Sequence, residues 1–182
     1  MGQGIRCLEM PEFSIENATR SCYPLSVPGK LKSLDELQTV VADAKANGKL
    51  VVFTNGCFDL LHRGHVHLLR QAKALGDLLI VGINSDASVK ALKGSSRPIL
   101  PETDRIELIA AMEMVDYIVL FAELDPHHVI AALRPNILVK GGDWSPDRII
   151  GADVVHAEGG RVAVIPYVKG FSTTEIIDKI RS

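Results

Sequence analysis

At 182 residues, 47% hydrophobic and 23% charged, the chain has the length and composition of one globular domain, burying about 70% of its unfolded surface. A formal net charge of −2 excludes a general polyanion-binding surface, so no nucleic-acid partner is expected. No apolar run approaches the ~20 residues that span a bilayer, the first residues lack a secretory h-region, and Cys7, Cys22 and Cys57 offer no CxxC spacing. A cytoplasmic protein is expected, with no membrane partner and no protein-ligated metal.

Residues 1 to 32 carry Pro11, Pro24 and Pro28 without periodicity and read as a tail or irregular cover. Residues 33–182 read as the folded domain. Ser33-Leu-Asp-Glu36 is a capping box that opens a helix with Leu34, Leu37, Val40, Val41 and Ala44 on one face, ending near Asn47-Gly48. Leu50 to Thr54 reads as a buried strand, and Val66 to Leu75 as a helix that stops at Gly76. Between them lies Asn55-Gly-Cys-Phe-Asp-Leu-Leu-His-Arg-Gly-His65, a glycine turn followed by two histidines at a helix start. Helix N-termini present free N–H groups and partial positive charge, so His62 and His65 are placed to meet one bound phosphate, with Gly64 allowing close approach.

Leu78 to Ile83 is a continuous apolar run, as expected of a strand covered on both faces. Asn84-Ser-Asp86 leads into a basic Gly/Ser loop carrying Lys93 and Arg97, read as a lid over phosphates. The next helix follows Pro101-Glu-Thr-Asp104 and turns Ile106, Ile109, Ala110 and Met114 inward. Arg105 sits in its first turn, where the macrodipole disfavours a cation; a bound anion would resolve the conflict, which makes Arg105 a candidate for an acceptor phosphate. Tyr117 to Phe121 is the third strand, Asp125-Pro126 caps a helix ending before Pro135, and Asn136 to Lys140 is the fourth strand. Lys140-Gly-Gly-Asp-Trp144 makes Lys140, Gly141 and Asp143 candidates for phosphate or sugar contact. Arg161 to Ile165 is the fifth strand, and Ser172, with Glu175 three residues on, caps the last helix.

Alternating strands and helices imply an α/β fold, a Rossmann-like open parallel sheet of about five strands with helices on both faces. Neither G-x-G-x-x-G nor a Walker A sequence occurs, so phosphates are held in another way. Ligands in such sheets sit beyond the C-terminal strand ends, where Asn55, Asn84, Lys140 and Ser172 fall.

The segment G-x-F-D-x-x-H-x-G-H after a strand resembles the HxGH nucleotidyltransferases, and Gly170-Phe-Ser-Thr-Thr174 resembles their G-I-S-T-T segment. Tyr167 stands where relatives carry arginine, and Lys169 is a candidate for the missing charge. Together with G-I-N-S-D-x-S-V-x-x-L-K-G and L-V-K-G-G-D-W, the chain looks like the adenylyltransferase domain of ADP-heptose synthesis enzymes over roughly residues 33 to 182. The resemblance implies transfer of AMP from ATP to D-glycero-D-manno-heptose 1-phosphate with release of pyrophosphate, for lipopolysaccharide core or a related glycan. It implies Mg²⁺ bridging the ATP phosphates with few or no protein ligands, a separate sugar kinase supplying the acceptor, and a homo-oligomer. Catalytic candidates are His62, His65 and Lys93, whose N–H groups, as imidazolium and ammonium, would stabilise charge in the transition state. Nucleotide-binding candidates are Thr54, Asn55, Gly56, Phe58 and Gly64, with Gly170, Phe171, Ser172, Thr173 and Thr174. Acceptor-binding candidates are Asp86, Arg97, Arg105, Lys140, Gly141 and Asp143. Asp59 reads as a structural residue that orients the loop. Two alternatives stay open: a cytidylyltransferase acting on glycerol 3-phosphate or a similar small phosphate, and a non-catalytic nucleotide sensor.

Overall fold

A computed structural model describes residues 29–182 except 143, 144, 146, 147, 167–169 and 171. Of the expected site residues, Asp143 and Phe171 lie outside the described residues, as do Trp144, Tyr167 and Lys169.

Helix α1, Leu34–Ala46, starts at Ser33 through the expected capping box: the Ser33 hydroxyl accepts the Glu36 N–H at 3.3 Å, and the Glu36 carboxylate accepts the Ser33 N–H at 2.8 Å. The elements then follow as β1 (Val51–Gly56), α2 (Arg63–Lys73), β2 (Leu78–Asn84), α3 (Asp86–Lys93), α4 (Glu102–Ala110) and β3 (Tyr117–Phe121). The second half runs α5 (His127–Leu133), β4 (Ile137–Gly141), α6 (Ala152–Ala157), β5 (Arg161–Ile165) and α7 (Thr173–Arg181). The chain joins the fold slightly before the boundary expected at 32: Ile118 in β3 exchanges backbone bonds with Lys30 and Lys32.

All strands are parallel, in the order β3-β2-β1-β4-β5. Side chains alternate along β1, so the sheet has two apolar faces. Phe53 and Leu138 join α1, α5 and α6 on one face; Val52 and Val139 join α2 and α4 on the other. The two-sided burial explains why the strands read as unbroken apolar runs.

The chain leaves β1 toward β2 on one side and returns to β4 on the other, so the strand order reverses between β1 and β4. Their C-terminal ends splay the following loops apart and open a crevice at that point.

Candidate active site

The β1–α2 loop supplies the two histidines. His62 is the N-cap of α2, its Nδ1 accepting the Gly64 N–H at 3.1 Å. That bond fixes the neutral ring with its proton on Nε2. His65 lies one turn further on, its ring stacked on His62 with centroids 3.9 Å apart. Phe58, backed into the left-handed region at φ 45°, sets its ring against the other side of His65 at 5.3 Å.

A buried polar frame holds this loop to the segment that follows α3. Asp59, 2% exposed, accepts the backbone N–H groups of Ile99 and Leu100 at 2.8 and 3.0 Å and the Arg97 Nε–H at 2.6 Å. The carboxylate is thus committed to structure, as its sequence context suggested.

Arg105 departs from expectation. Its side chain is fully buried, donating to the carbonyls of Leu100 and Cys57 and, at 2.8 Å, to Asp86 Oδ1. The cation in the first turn is balanced by Asp86, itself in the first turn of α3, so no bound anion is required there. Arg105 and Asp86 therefore brace the motif loop against α3 and α4 instead of facing an acceptor. Thr54 is a second correction: it lies fully buried in register between Val81 and Val139, and it lines neither lobe of the cleft described below.

The crevice forms two adjoining lobes. The larger, about 720 Å³, runs from His62 and Gly64 to Gly170, Ser172 and Thr174 at the start of α7. The smaller, about 440 Å³, lies over the β1 and β4 ends, with Asn55, Gly56, Phe58 and Lys140 in its lining. His65, Leu68, Lys93, Gly141 and Thr173 line both, so they form the shared wall. Lys93 occupies the last turn of α3 rather than a loop. Arg97 lines the larger lobe with its Nη2 buried and unpaired among the described residues. At the floor, Lys140 Nζ donates to Asn55 Oδ1 at 3.3 Å, bridging β4 and β1 across the point of strand reversal.

Burial dominates the electrostatics. It pushes the His65 pKa down to about 4, assisted by His62 and Lys93 and opposed by Asp59. His62 is lowered by burial, with Glu175 pulling the other way, and Lys140 is lowered by burial against a raising effect from Cys57. His65 is therefore neutral at pH 7. Two partly desolvated histidines and a desolvated ammonium make a cleft that gains from an anion: a phosphate restores the charged forms that burial opposes.

The profile of the cytidylyltransferase-like family matches residues 53–179. The chain belongs to the cytidylyltransferase-like family. With that family it is a nucleotidyltransferase. It is 52% identical over 153 residues to the bifunctional protein HldE of Geotalea uraniireducens, covering 84% of this chain and 31% of the relative, so the chain spans about a third of the length of the curated relatives it matches. The lipopolysaccharide core biosynthesis protein of Thermoplasma volcanium superposes with a TM-score of 0.55 at 29% identity, covering 68% of this chain and all of that one. Pantoate-beta-alanine ligase of Francisella tularensis shares the fold alone, with a TM-score of 0.53, 14% identity, and 83% of this chain against 76% of that one covered.

The family match spans both lobes, from Phe53 in β1 to Lys179 in α7. Within it, sequence reasoning missed two ionisable contributors to the larger lobe. His67 lines it, as does Glu175, which the sequence offered only as the capping partner of Ser172.

Proposed function

We propose that the chain transfers AMP from ATP to D-glycero-D-manno-heptose 1-phosphate, giving ADP-heptose and pyrophosphate. The observation carrying this reading is the shared wall: one lobe ends in the helix-start hydroxyls of Ser172 and Thr174, the other in Lys140, and His65, Lys93 and Thr173 stand between them. A triphosphate along the larger lobe brings its α-phosphorus to that wall. An acceptor phosphate over Lys140 approaches the same point from the opposite side.

The acceptor's phosphate oxygen forms the new P–O bond as the bond to pyrophosphate breaks. The nucleophile is already ionised, so no general base is needed, and Asp59 is free to be structural. His62 Nε2–H, His65 and Lys93 donate to phosphate oxygens whose charge grows in the transition state, the interaction that accelerates the step. Ser172 to Thr174, with the free N–H groups of α7, hold the outgoing phosphates.

Among the described residues no cluster of three or more His, Cys, Asp or Glu could hold a metal. A Mg²⁺ arriving with the nucleotide would supply neutralisation of charge on the departing pyrophosphate. No described helix is long and apolar enough to cross a membrane.

The test is pyrophosphate release with Mg²⁺, ATP or CTP, and a panel of both heptose 1-phosphate anomers and glycerol 3-phosphate. Release with ATP and one heptose anomer is expected. Release with CTP and glycerol 3-phosphate would replace this reading with cytidylyl transfer, and ATP binding without release would replace it with a nucleotide sensor.

A further inference from the structure

Leu92, Leu124 and Ile150 are 50%, 60% and 49% exposed, and all three line the smaller lobe. Single exposed aliphatic residues are ordinary; three from separate segments around one cavity are not. They arrive from the end of α3, the turn after β3 and the turn before α6. The other large exposed aliphatics, such as Leu108 and Ile180, line neither lobe. Between Leu124 and Pro126 stands Asp125; the N-cap of α5 is Pro126 rather than the Asp125 expected, and Asp125 Oδ1 accepts the N–H of His127, the first helical residue, at 2.9 Å.

The orientation of an acceptor follows from the shared wall. Its phosphate must lie toward His65, Lys93 and Lys140 to reach the nucleotide. Its carbon skeleton then points away, toward Leu124 and Ile150. A ring with C–H groups on one face and hydroxyls on its edge matches that surface: the aliphatic residues take the C–H face, and the Asp125 carboxylate accepts from hydroxyls. A three-carbon phosphate would fill the polar end and leave the aliphatic rim wet.

We propose that Leu92, Leu124 and Ile150 form an apolar platform for the carbon face of the acceptor sugar and set its size preference, an inference that rests on the acceptor reading above. The platform acts through affinity for the acceptor and leaves the nucleotide lobe untouched.

Leu124→Ala and Ile150→Ala test it, both at exposed positions where folding is not at stake. Steady-state pyrophosphate release should show a KM for heptose 1-phosphate raised about five- to twentyfold, with the ATP KM within about twofold. Leu124→Met should retain most of the affinity. An active parent with unchanged sugar KM in both alanine variants would overturn the platform alone. Loss of a dimer in light scattering with unchanged sugar KM would assign the patch to a second copy of the chain and overturn it equally. A parent that releases no pyrophosphate with any sugar phosphate would overturn the acceptor reading and the platform with it.

Discussion

His62 and His65 stack ring on ring, with planes inclined by only 26°. Burial holds His65 neutral, its pKa pushed to about 4 from an ordinary value of 6.5, and the stacked His62 adds to this, since two imidazolium ions could not share that arrangement without repulsion. Between those values the unfolded chain binds a proton that the folded chain refuses. Stability from this group is therefore full above about pH 6.5 and is lost as pH falls toward 4. A triphosphate reverses the balance, because its charge favours the protonated ring. ATP binding near pH 6 should take up a proton, seen as a dependence of the calorimetric enthalpy on buffer ionisation. His65→Asn should abolish most of that uptake. Uptake unchanged in the variant would place the titrating group elsewhere.

The two histidines should separate in mutagenesis. His65→Ala removes one donor at the shared wall and should lower turnover about 100-fold while ATP affinity stays within a few fold. His62→Ala should do the same and also cost about 1 kcal/mol of stability, because its Nδ1 caps α2. His62→Asn restores a capping acceptor and should recover the melting temperature without recovering turnover. Recovery of both together would make His62 a cap and nothing more.

The fold was legible because the five strands are buried on both faces and their apolar runs have no competing period. The crevice was legible because glycines and histidines stand immediately after β1. Two short helices were not foreseen. For α3 the signal was present, since Ser85 caps it and Val89 and Leu92 are three apart, but the basic Lys90 and Lys93 drew the reading toward a loop. For α6 there was little to find: its N-cap is Gly151 at φ 87°, where Ile130 lies 2.6 Å from any added Cβ, so glycine is there for tertiary packing. The helix after Pro101 ends at Ala110, leaving Met114 to pack on the core from the following turn. Thr54 and Arg105 were misplaced for one reason: sequence gives proximity to a motif, whereas depth below the surface comes only from the assembled layers.

Lys140 should report the acceptor more than the nucleotide. Burial already lowers its pKa, and its Nζ touches Asn55 Oδ1, a neutral acceptor that compensates only part of the lost hydration. An acceptor phosphate supplies the missing counter-charge. Lys140→Ala should raise the sugar phosphate KM at least tenfold and the ATP KM by no more than about threefold. The opposite ranking in initial-rate kinetics would move Lys140 to the nucleotide lobe.

Arg105 and Lys93 make the sharpest contrast between bracing and chemistry. Arg105 has no exposed surface and joins three segments at once, donating to Cys57 in the motif loop, Leu100 in the segment that follows α3 and Asp86 at the start of α3. Removing it strands two carbonyls, while Asp86, 42% exposed, returns to water, so Arg105→Met should cost about 2–4 kcal/mol in urea denaturation. Arg105→Lys should rescue little, since one ammonium cannot reproduce a planar fork aimed at three partners. Lys93→Ala, at an exposed helix end, should leave the denaturation midpoint within about 0.5 kcal/mol and lower turnover at least tenfold. If instead Arg105→Lys kept its midpoint and selectively lost affinity for the sugar phosphate, the guanidinium would be an acceptor ligand after all, and the bracing role derived from its burial would be wrong.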